Sequence, residues 1–381
     1  MIVKNEAHVI ERVLRSCLPI IDGYVINDTG STDDTIKIIK SFFDDHQIDG
    51  IILENNFTNF SESRNIALNN TIGDYMLWID ADEELILSET FNKDEFKSEL
   101  LSSKPDVVYF NCKYGNNEYK RNQLVPLNLN YKWTGPVHEV LTTDNDISNY
   151  IIFDQGFINI TSDGHSWTSS LYEKYLSHAE ILEKYQIEND WSDPRWTFYL
   201  AQSYKDSSRV LLAQNTDSEE GLNLVKKSIH YYTARVNDKK GFNEEIYYSQ
   251  LMIGRLFSFF ADDSKVFYEL LKCDEYNKTS RIEHYYDMII IAQRNNLHKI
   301  AYDYCIQALK IKNNSTTILF KESDIYNWRI LDALSISAFH LNEMDIFKNC
   351  IDELLSEDVS KYISDNELIR IRKNQELLKN N

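Results

Sequence analysis

Between Tyr24 and Asp82, short β-branched runs alternate with amphipathic stretches, and no other feature of the chain restricts its fold so tightly. Alternation of this kind is the signature of βαβ units, in which crossover helices cover a parallel sheet. Tyr24 to Asn27, Ile51 to Leu53 and Tyr75 to Ile79 read as strands, with Met1 to Val3 a stub before them and Val107 to Phe110 a further strand after. Val9, Ile10, Val13 and Leu14 recur at helical spacing. Ser31 to Asp34 resembles a capping box opening a helix that carries Ile36, Ile39 and Phe43, and Ser61 to Asn69 reads as a third helix. The stretch from Tyr131 to Phe157 looks like irregular strands and loops.

After about Ser166 the strand runs stop, and Tyr, Leu, Ile and Ala recur at helical spacing through Leu378. Residues 196–236, 244–277, 284–312 and 327–357 each have the extent of a helical hairpin. Ala301 and Ala308, seven positions apart, suit the second helix of a tetratricopeptide-like unit, where two helices cross closely. The expected architecture is an α/β domain over residues 1–165, with a mixed, mostly parallel sheet, followed by an all-α domain of tetratricopeptide-like hairpins over residues 166–381.

A net charge of −20, with no lysine or arginine cluster, disfavours nucleic-acid binding and means that a diphosphate ligand needs a cation to bring it in. The five cysteines are widely spaced and never form CxxC, as expected of reduced thiols in a cytoplasmic protein. No apolar run approaches the ~18 residues of a membrane span, and no signal-peptide pattern opens the sequence. GxSxG, HExxH, Walker A and zinc-ligand spacings are all missing.

The stretch Trp78-Ile79-Asp80-Ala81-Asp82-Glu83-Glu84 runs an apolar strand straight into acids. Carboxylates at a strand end can face a ribose and a hard divalent cation such as Mg²⁺ or Mn²⁺. An isolated pair of this kind is more often a solvated loop, but three other strand ends carry compatible groups. These are Lys4-Asn5-Glu6 after the first stub, Asp28-Thr29-Gly30 after the second strand, and Ser63-Arg64-Asn65 near a helix start, where a cation suits a diphosphate.

In order and spacing, Met1-Ile2-Val3-Lys4-Asn5-Glu6, Asp28 to Asp33, Ser63-Arg64-Asn65 and Asp80-Ala81-Asp82-Glu83 together resemble a family 2 glycosyltransferase with the GT-A fold. The resemblance covers about residues 1–140, and the helical part resembles the tetratricopeptide-like extension of a subset of such enzymes. It implies a UDP-sugar donor held at the base by Val3, Lys4 and Asn5 beside Glu6, at the uracil or ribose by Asp28, and at the diphosphate by Arg64. Asp80 would face the ribose or the metal, Asp82 would be the principal ligand of Mn²⁺ or Mg²⁺, and His165 a further metal candidate. Members of the family usually have several residues before the position of Met1.

Direct displacement requires a base, and Glu139 in Gly135-Pro136-Val137-His138-Glu139 is the candidate by position and chemistry, with His138 orienting the loop; a buried structural pair is the competing reading. Trp133 and Trp167 suit either a sugar face or the core. The acceptor would be a glycan or protein hydroxyl, with the helical half binding it or joining two subunits. The rival readings are a helical scaffold with a degenerate transferase domain, and nucleotidyl transfer, which the Lys4-Asn5-Glu6-Ala7 loop, lacking a glycine-rich run, disfavours.

Overall fold

A computed structural model describes residues 1–114, 117–165, 170–316 and 319–377 of the chain. Trp167 lies outside the described residues. The chain divides into two compact units, Met1–Tyr185 and Gln186–Asn381, a division later in the chain than the boundary expected after residue 165.

The first unit opens with β1 (Ile2–Val3), α1 (Ile10–Cys17), β2 (Tyr24–Asp28), α2 (Thr35–His46), β3 (Gly50–Glu54) and α3 (Phe60–Asn69). Strands β1, β2 and β3 form a parallel sheet in that order, Val3 standing opposite Asp28 and Asp28 opposite Glu54. The next elements are β4 (Tyr75–Leu77), β5 (Glu83–Leu87), α4 (Lys93–Ser103), β6 (Val107–Tyr114), β7 (Asn117–Pro126), β8 (Lys132–Thr134), β9 (Val140–Thr142) and β10 (Tyr150–Ile160).

A second sheet has the order β4-β7-β6-β10-β5, in which only β6 and β10 run parallel. The expectation of a mostly parallel sheet therefore holds for β1 to β3 and fails beyond them. Strands β6 and β7 follow one another too closely in the chain for the crossover of about a dozen residues that parallel pairing requires.

Apolar periodicity explains the packing. Ile10, Val13, Leu14 and Cys17 on α1 are buried, as are Ile39, Phe42 and Phe43 on α2, and Tyr24 of β2 stacks on Phe43 at 3.7 Å. The expected capping box does not form. Asp34 is the N-cap of α2 without a side-chain bond, because Ser31 is drawn to Asn5 instead and Asp33 accepts from the Thr35 backbone N–H.

Helix α5 (Leu171–Glu188) closes the first unit. The second unit is built of hairpins: α6 (Pro194–Gln214) with α7 (Glu219–Asp238), α8 (Asn243–Phe257) with α9 (Asp263–Leu271), α11 (Glu283–Arg294) with α12 (His298–Ile311), and α13 (Ile330–His340) with α14 (Met344–Leu354). The short α10 (Cys273–Tyr276) links the second and third. Ala301, Cys305 and Ala308 on α12 are fully buried, small residues where helices lie close. All five cysteines are free and buried. Among the described residues, no helix is long and apolar enough to cross a membrane.

Candidate active site

Loops at the carboxyl ends of β1 and β2 are stitched together. Asn5 N–H donates to Ser31 Oγ at 2.9 Å, Thr32 N–H to Asn5 Oδ1 at 2.7 Å, Glu6 N–H to Thr35 Oγ1 at 2.8 Å and Ala7 N–H to Asp33 Oδ2 at 3.1 Å. Gly30 takes φ +102°, which only glycine adopts easily, and so turns the chain back over Asp28. The Asp28 carboxylate is 2% exposed, and its Oδ2 accepts from the Gly30 and Ser31 backbone N–H groups at 3.0 and 2.9 Å. Its Oδ1 is buried with no hydrogen-bond partner among the described residues. Leaving such an atom unpaired costs about 1–3 kcal/mol, so it marks a place where a ligand donor would be stabilising. Val3 is buried and its carbonyl accepts from Thr29, whereas Lys4 is exposed.

Helix α3 starts beside this turn, and its residues bind the loop that precedes β9. Phe60 N–H donates to the Pro136 carbonyl at 3.0 Å, and Asn65 exchanges two hydrogen bonds with the Trp133 backbone. Arg64, whose side chain is 10% exposed, lies between two carboxylates. It meets Asp80 through both terminal nitrogens, at 2.8 and 3.1 Å, and its Nε donates to Glu139 Oε1 at 2.6 Å. Trp78 and Trp133, both buried and edge-to-face at 4.7 Å, flank the guanidinium at 5.3 and 4.8 Å.

This arrangement changes two sequence expectations. Arg64 cannot offer an uncommitted charge to a diphosphate, because its fork is already shared between Asp80 and Glu139. Asp80 in turn has both oxygens on Arg64, so of the two acids it is the one already engaged within the protein. Burial alone would raise the Asp80 pKa, but the charge and hydrogen bonds of Arg64, with the charge of Arg121, hold it below the usual carboxylate range. Trp133 belongs to the core here, not to a sugar face.

Asp82 stands one turn further along, its carbonyl accepting from Thr161 N–H and Oγ1. Gly164 fits between two acids: a Cβ there would lie 3.0 Å from Asp82 Cβ and 3.1 Å from Glu6 Oε2. His165 N–H donates to that same Glu6 oxygen at 3.0 Å. The Glu6 pKa is raised, first by burial and also by the negative charge of Asp82, so one more positive charge would be welcome. Among the described residues, no group of three or more His, Cys, Asp or Glu is assembled to hold a metal ion. A Mg²⁺-type site needs only one or two carboxylates when substrate phosphates and water complete it, and the hard oxygens of Asp82 and Glu6 fit that donor set.

Two features were not legible in the sequence. Arg12 clamps the loop after β10 by two 2.7 Å bonds to Asp163 and one to Thr161, which holds Gly164 against Asp82. Helix α5 also faces the site, with the His178 ring edge-on to Phe60 at 6.0 Å and to His138 at 6.1 Å. Burial, then the positive charges of His138 and Lys174, lower the His178 pKa to about 4. His138 is exposed and holds a left-handed φ of +56°, which turns the loop so that Glu139 points inward to Arg64.

A cavity of about 740 Å³ runs from Gly23, Tyr24, Gly50 and Asp74 at the amino ends of the same strands up to Arg64, Trp78 and Trp133. Its mouth at the amino ends is mostly apolar, whereas open α/β sheets collect polar ligands at carboxyl ends, which makes the Asp28–Asp82 side the candidate site.

Comparison with known proteins finds a family match in the first part of the chain. Residues 1–93, which supply every turn from Asn5 to Asp82, match the family described as glycosyl transferase family 2. The N-terminal unit carries a family 2 glycosyltransferase domain. The SPbeta prophage-derived glycosyltransferase SunS of Bacillus subtilis is 27% identical over 250 residues, which cover 64% of this chain and 55% of that protein. The chain thus spans about half the length of this relative. A TPR repeat-containing protein of Synechococcus elongatus is 34% identical over 111 residues, 29% of this chain and 25% of that one. Crystal structures of S. aureus TarS are more distant. The TarS structure covers 74% of this chain and 55% of its own at 14% identity and TM-score 0.39; TarS 1-349 in complex with UDP-GlcNAc covers 71% and 88% at 13% and 0.36. Within the transferase domain the acids Asp28, Asp80 and Asp82 and the cation Arg64 all lie inside the matched residues, while Glu139, His165 and α5 lie beyond them.

Proposed function

We propose that the chain is an inverting glycosyltransferase that moves a hexose or N-acetylhexosamine from a UDP-sugar to a hydroxyl of a glycan or protein. The observation that carries this reading is the buried, unpartnered Oδ1 of Asp28 at the same strand ends as Asp82 and the Arg64–Glu139 pair. Asp28 would accept from the uracil or ribose, with the Asn5–Ala7 loop beneath it and Val3, Lys4 and Glu6 around the base. Asp82, with Glu6 and His165 beside it, would hold Mn²⁺ or Mg²⁺. When bound, such an ion supplies positive charge for the departing diphosphate.

In the reaction, the acceptor hydroxyl oxygen attacks the anomeric carbon, the bond from that carbon to the diphosphate oxygen breaks, and UDP leaves with the electron pair. Glu139 takes the hydroxyl proton, and configuration inverts. Arg64 fixes the direction of that carboxylate, since its Nε engages Oε1 and its terminal nitrogens are anchored by Asp80. His138 shapes the turn that presents Glu139. The hairpins of the second unit, read as tetratricopeptide-like, would hold the acceptor. The five buried free thiols accord with a reducing, cytosol-like compartment.

A hydrolysis and thermal-shift screen of the full chain against UDP- and GDP-sugars with Mn²⁺ tests the proposal. UDP should raise the unfolding temperature in a metal-dependent way, and one UDP-sugar should be hydrolysed. A scaffold protein would show neither effect, and that outcome would end the enzyme reading.

A further inference from the structure

The turn after β4 is fastened to β7 by a buried ion pair that the proposed reaction does not use. Arg121 and Gln123 stand two residues apart on β7, so their side chains leave the strand on one face. The Trp78 backbone N–H donates to the Gln123 carbonyl at 3.1 Å, and the Gln123 side-chain amide donates back to the Trp78 carbonyl. Trp78 Nε1 donates to the Asn122 carbonyl at 2.7 Å. Arg121 lies over the Trp78 ring at 4.2 Å, its Nε on Gln123 Oε1 at 2.7 Å. Its two terminal nitrogens each meet one oxygen of Glu83 at 2.8 Å.

Glu83, buried at 2% exposure, closes the turn from both sides. Its Oε2 accepts from the Asp80 backbone N–H at 3.1 Å, and its own N–H donates to the Asp80 carbonyl at 3.2 Å. Asp82 lies inside the loop closed in this way. We propose that Glu83 and Arg121 are positioning residues of the donor site, fixing the direction in which the turn presents Asp82. The assignment rests on the UDP-sugar and cation reading above.

Stability alone is a poor reason for such a pair. Taking two charges out of water costs about as much as their attraction returns, and an uncharged pair of similar volume is often no less stable. What the two parallel bonds of a guanidinium add is direction. The Glu83 carboxylate cannot turn without giving up either Arg121 or the Asp80 N–H. Asp80 is thereby held twice, at its N–H by Glu83 and at its carboxylate by Arg64. The Trp78 ring packs against both guanidiniums, so the two clamps share one wall. Asp82, between Asp80 and Glu83 in the chain, takes its backbone direction from both.

Calorimetric titration of the full chain with UDP, in Mn²⁺ and in EDTA, and with uridine tests the assignment, with urea unfolding as the measure of the fold. E83Q/R121M removes both charges together and leaves no lone buried ion. It is expected to keep its stability and its affinity for uridine, while affinity for UDP in Mn²⁺ falls roughly ten- to a hundredfold, the usual cost of losing a group that orients a metal ligand. R121K keeps the charge without the fork and should lose less; it decides the matter if the double variant does not fold. Wild-type affinity for UDP in Mn²⁺ in a folded variant overturns the positioning role. A fall in uridine affinity that matches the fall for UDP overturns it as well, since that would mark a general loss of structure. Both results leave the transferase reading intact. A wild-type chain that binds no UDP, or binds it equally in EDTA, overturns the cation reading and this assignment together.

Discussion

Arg64 reaches Glu139 across seventy-five positions of sequence, its Nε donating to Oε1 at 2.6 Å while its terminal nitrogens grip Asp80. The three side chains bind α3, the turn after β4 and the loop before β9 into one unit. Removing the cation leaves two poorly solvated carboxylates facing each other, and breaking a buried pair in this way typically costs about 3–5 kcal/mol. Arg64→Met should therefore lower the urea midpoint of the first unit, the midpoint shift multiplied by the m-value falling in that range. Arg64→Lys, which keeps the charge and loses the fork, should recover only part. An unchanged midpoint in R64M would show that the triad does not hold these segments together.

Asp28 offers a cleaner test of binding. Its Oδ2 stays on the Gly30 and Ser31 N–H groups and its Oδ1 is unpartnered. Asp28→Asn keeps one acceptor but loses the charge, and should weaken both uridine and UDP about tenfold with little change in thermal stability. A fall in thermal stability with affinity unchanged would assign Asp28 to the turn alone.

Gly164 tests the pairing of Asp82 with Glu6. An added Cβ would lie 3.0 Å from Asp82 Cβ and 3.1 Å from Glu6 Oε2, so the two acids must move apart. Gly164→Ala should reduce the Mn²⁺-dependent part of UDP stabilisation about tenfold in affinity, since sub-ångström placement matters at such sites. In EDTA the two proteins should bind UDP alike, and a difference persisting there would detach Gly164 from the cation.

His178 predicts an acid limb in stability. Its folded pKa of about 4 lies below the ~6.5 of an unfolded histidine, so between those values the unfolded chain binds more protons and stability rises with pH. The contribution is complete above about 6.5 and is lost as pH falls toward 4, at most about 3 kcal/mol. His178→Gln should flatten that limb in chemical denaturation followed from pH 7 to 4. An identical slope in the variant would move the acid sensitivity elsewhere.

The helical unit supplies a control. Arg235 is fully buried against Glu245 at 3.0 Å, and Arg235→Met should destabilise that unit by about 3 kcal/mol while leaving UDP affinity as it was. A fall in UDP affinity would instead couple the second unit to donor binding.

What the sequence determined by itself was periodic. Strands β1 to β3, the helices between them and the paired helices after residue 194 follow from spacings of two and 3.6 residues, which backbone geometry imposes locally. The chemical types there were legible for the same reason, since Asp28 ends a strand, Arg64 lies in the first turns of a helix and Asp82 follows a strand run. Tertiary structure decided which charge meets which. Attraction depends on distance after folding and on the loss of water, neither of which sequence spacing encodes, so Arg64 was assigned a phosphate and found Asp80 and Glu139. The same holds for the antiparallel β6–β7 pair, whose register only the neighbouring strands could fix.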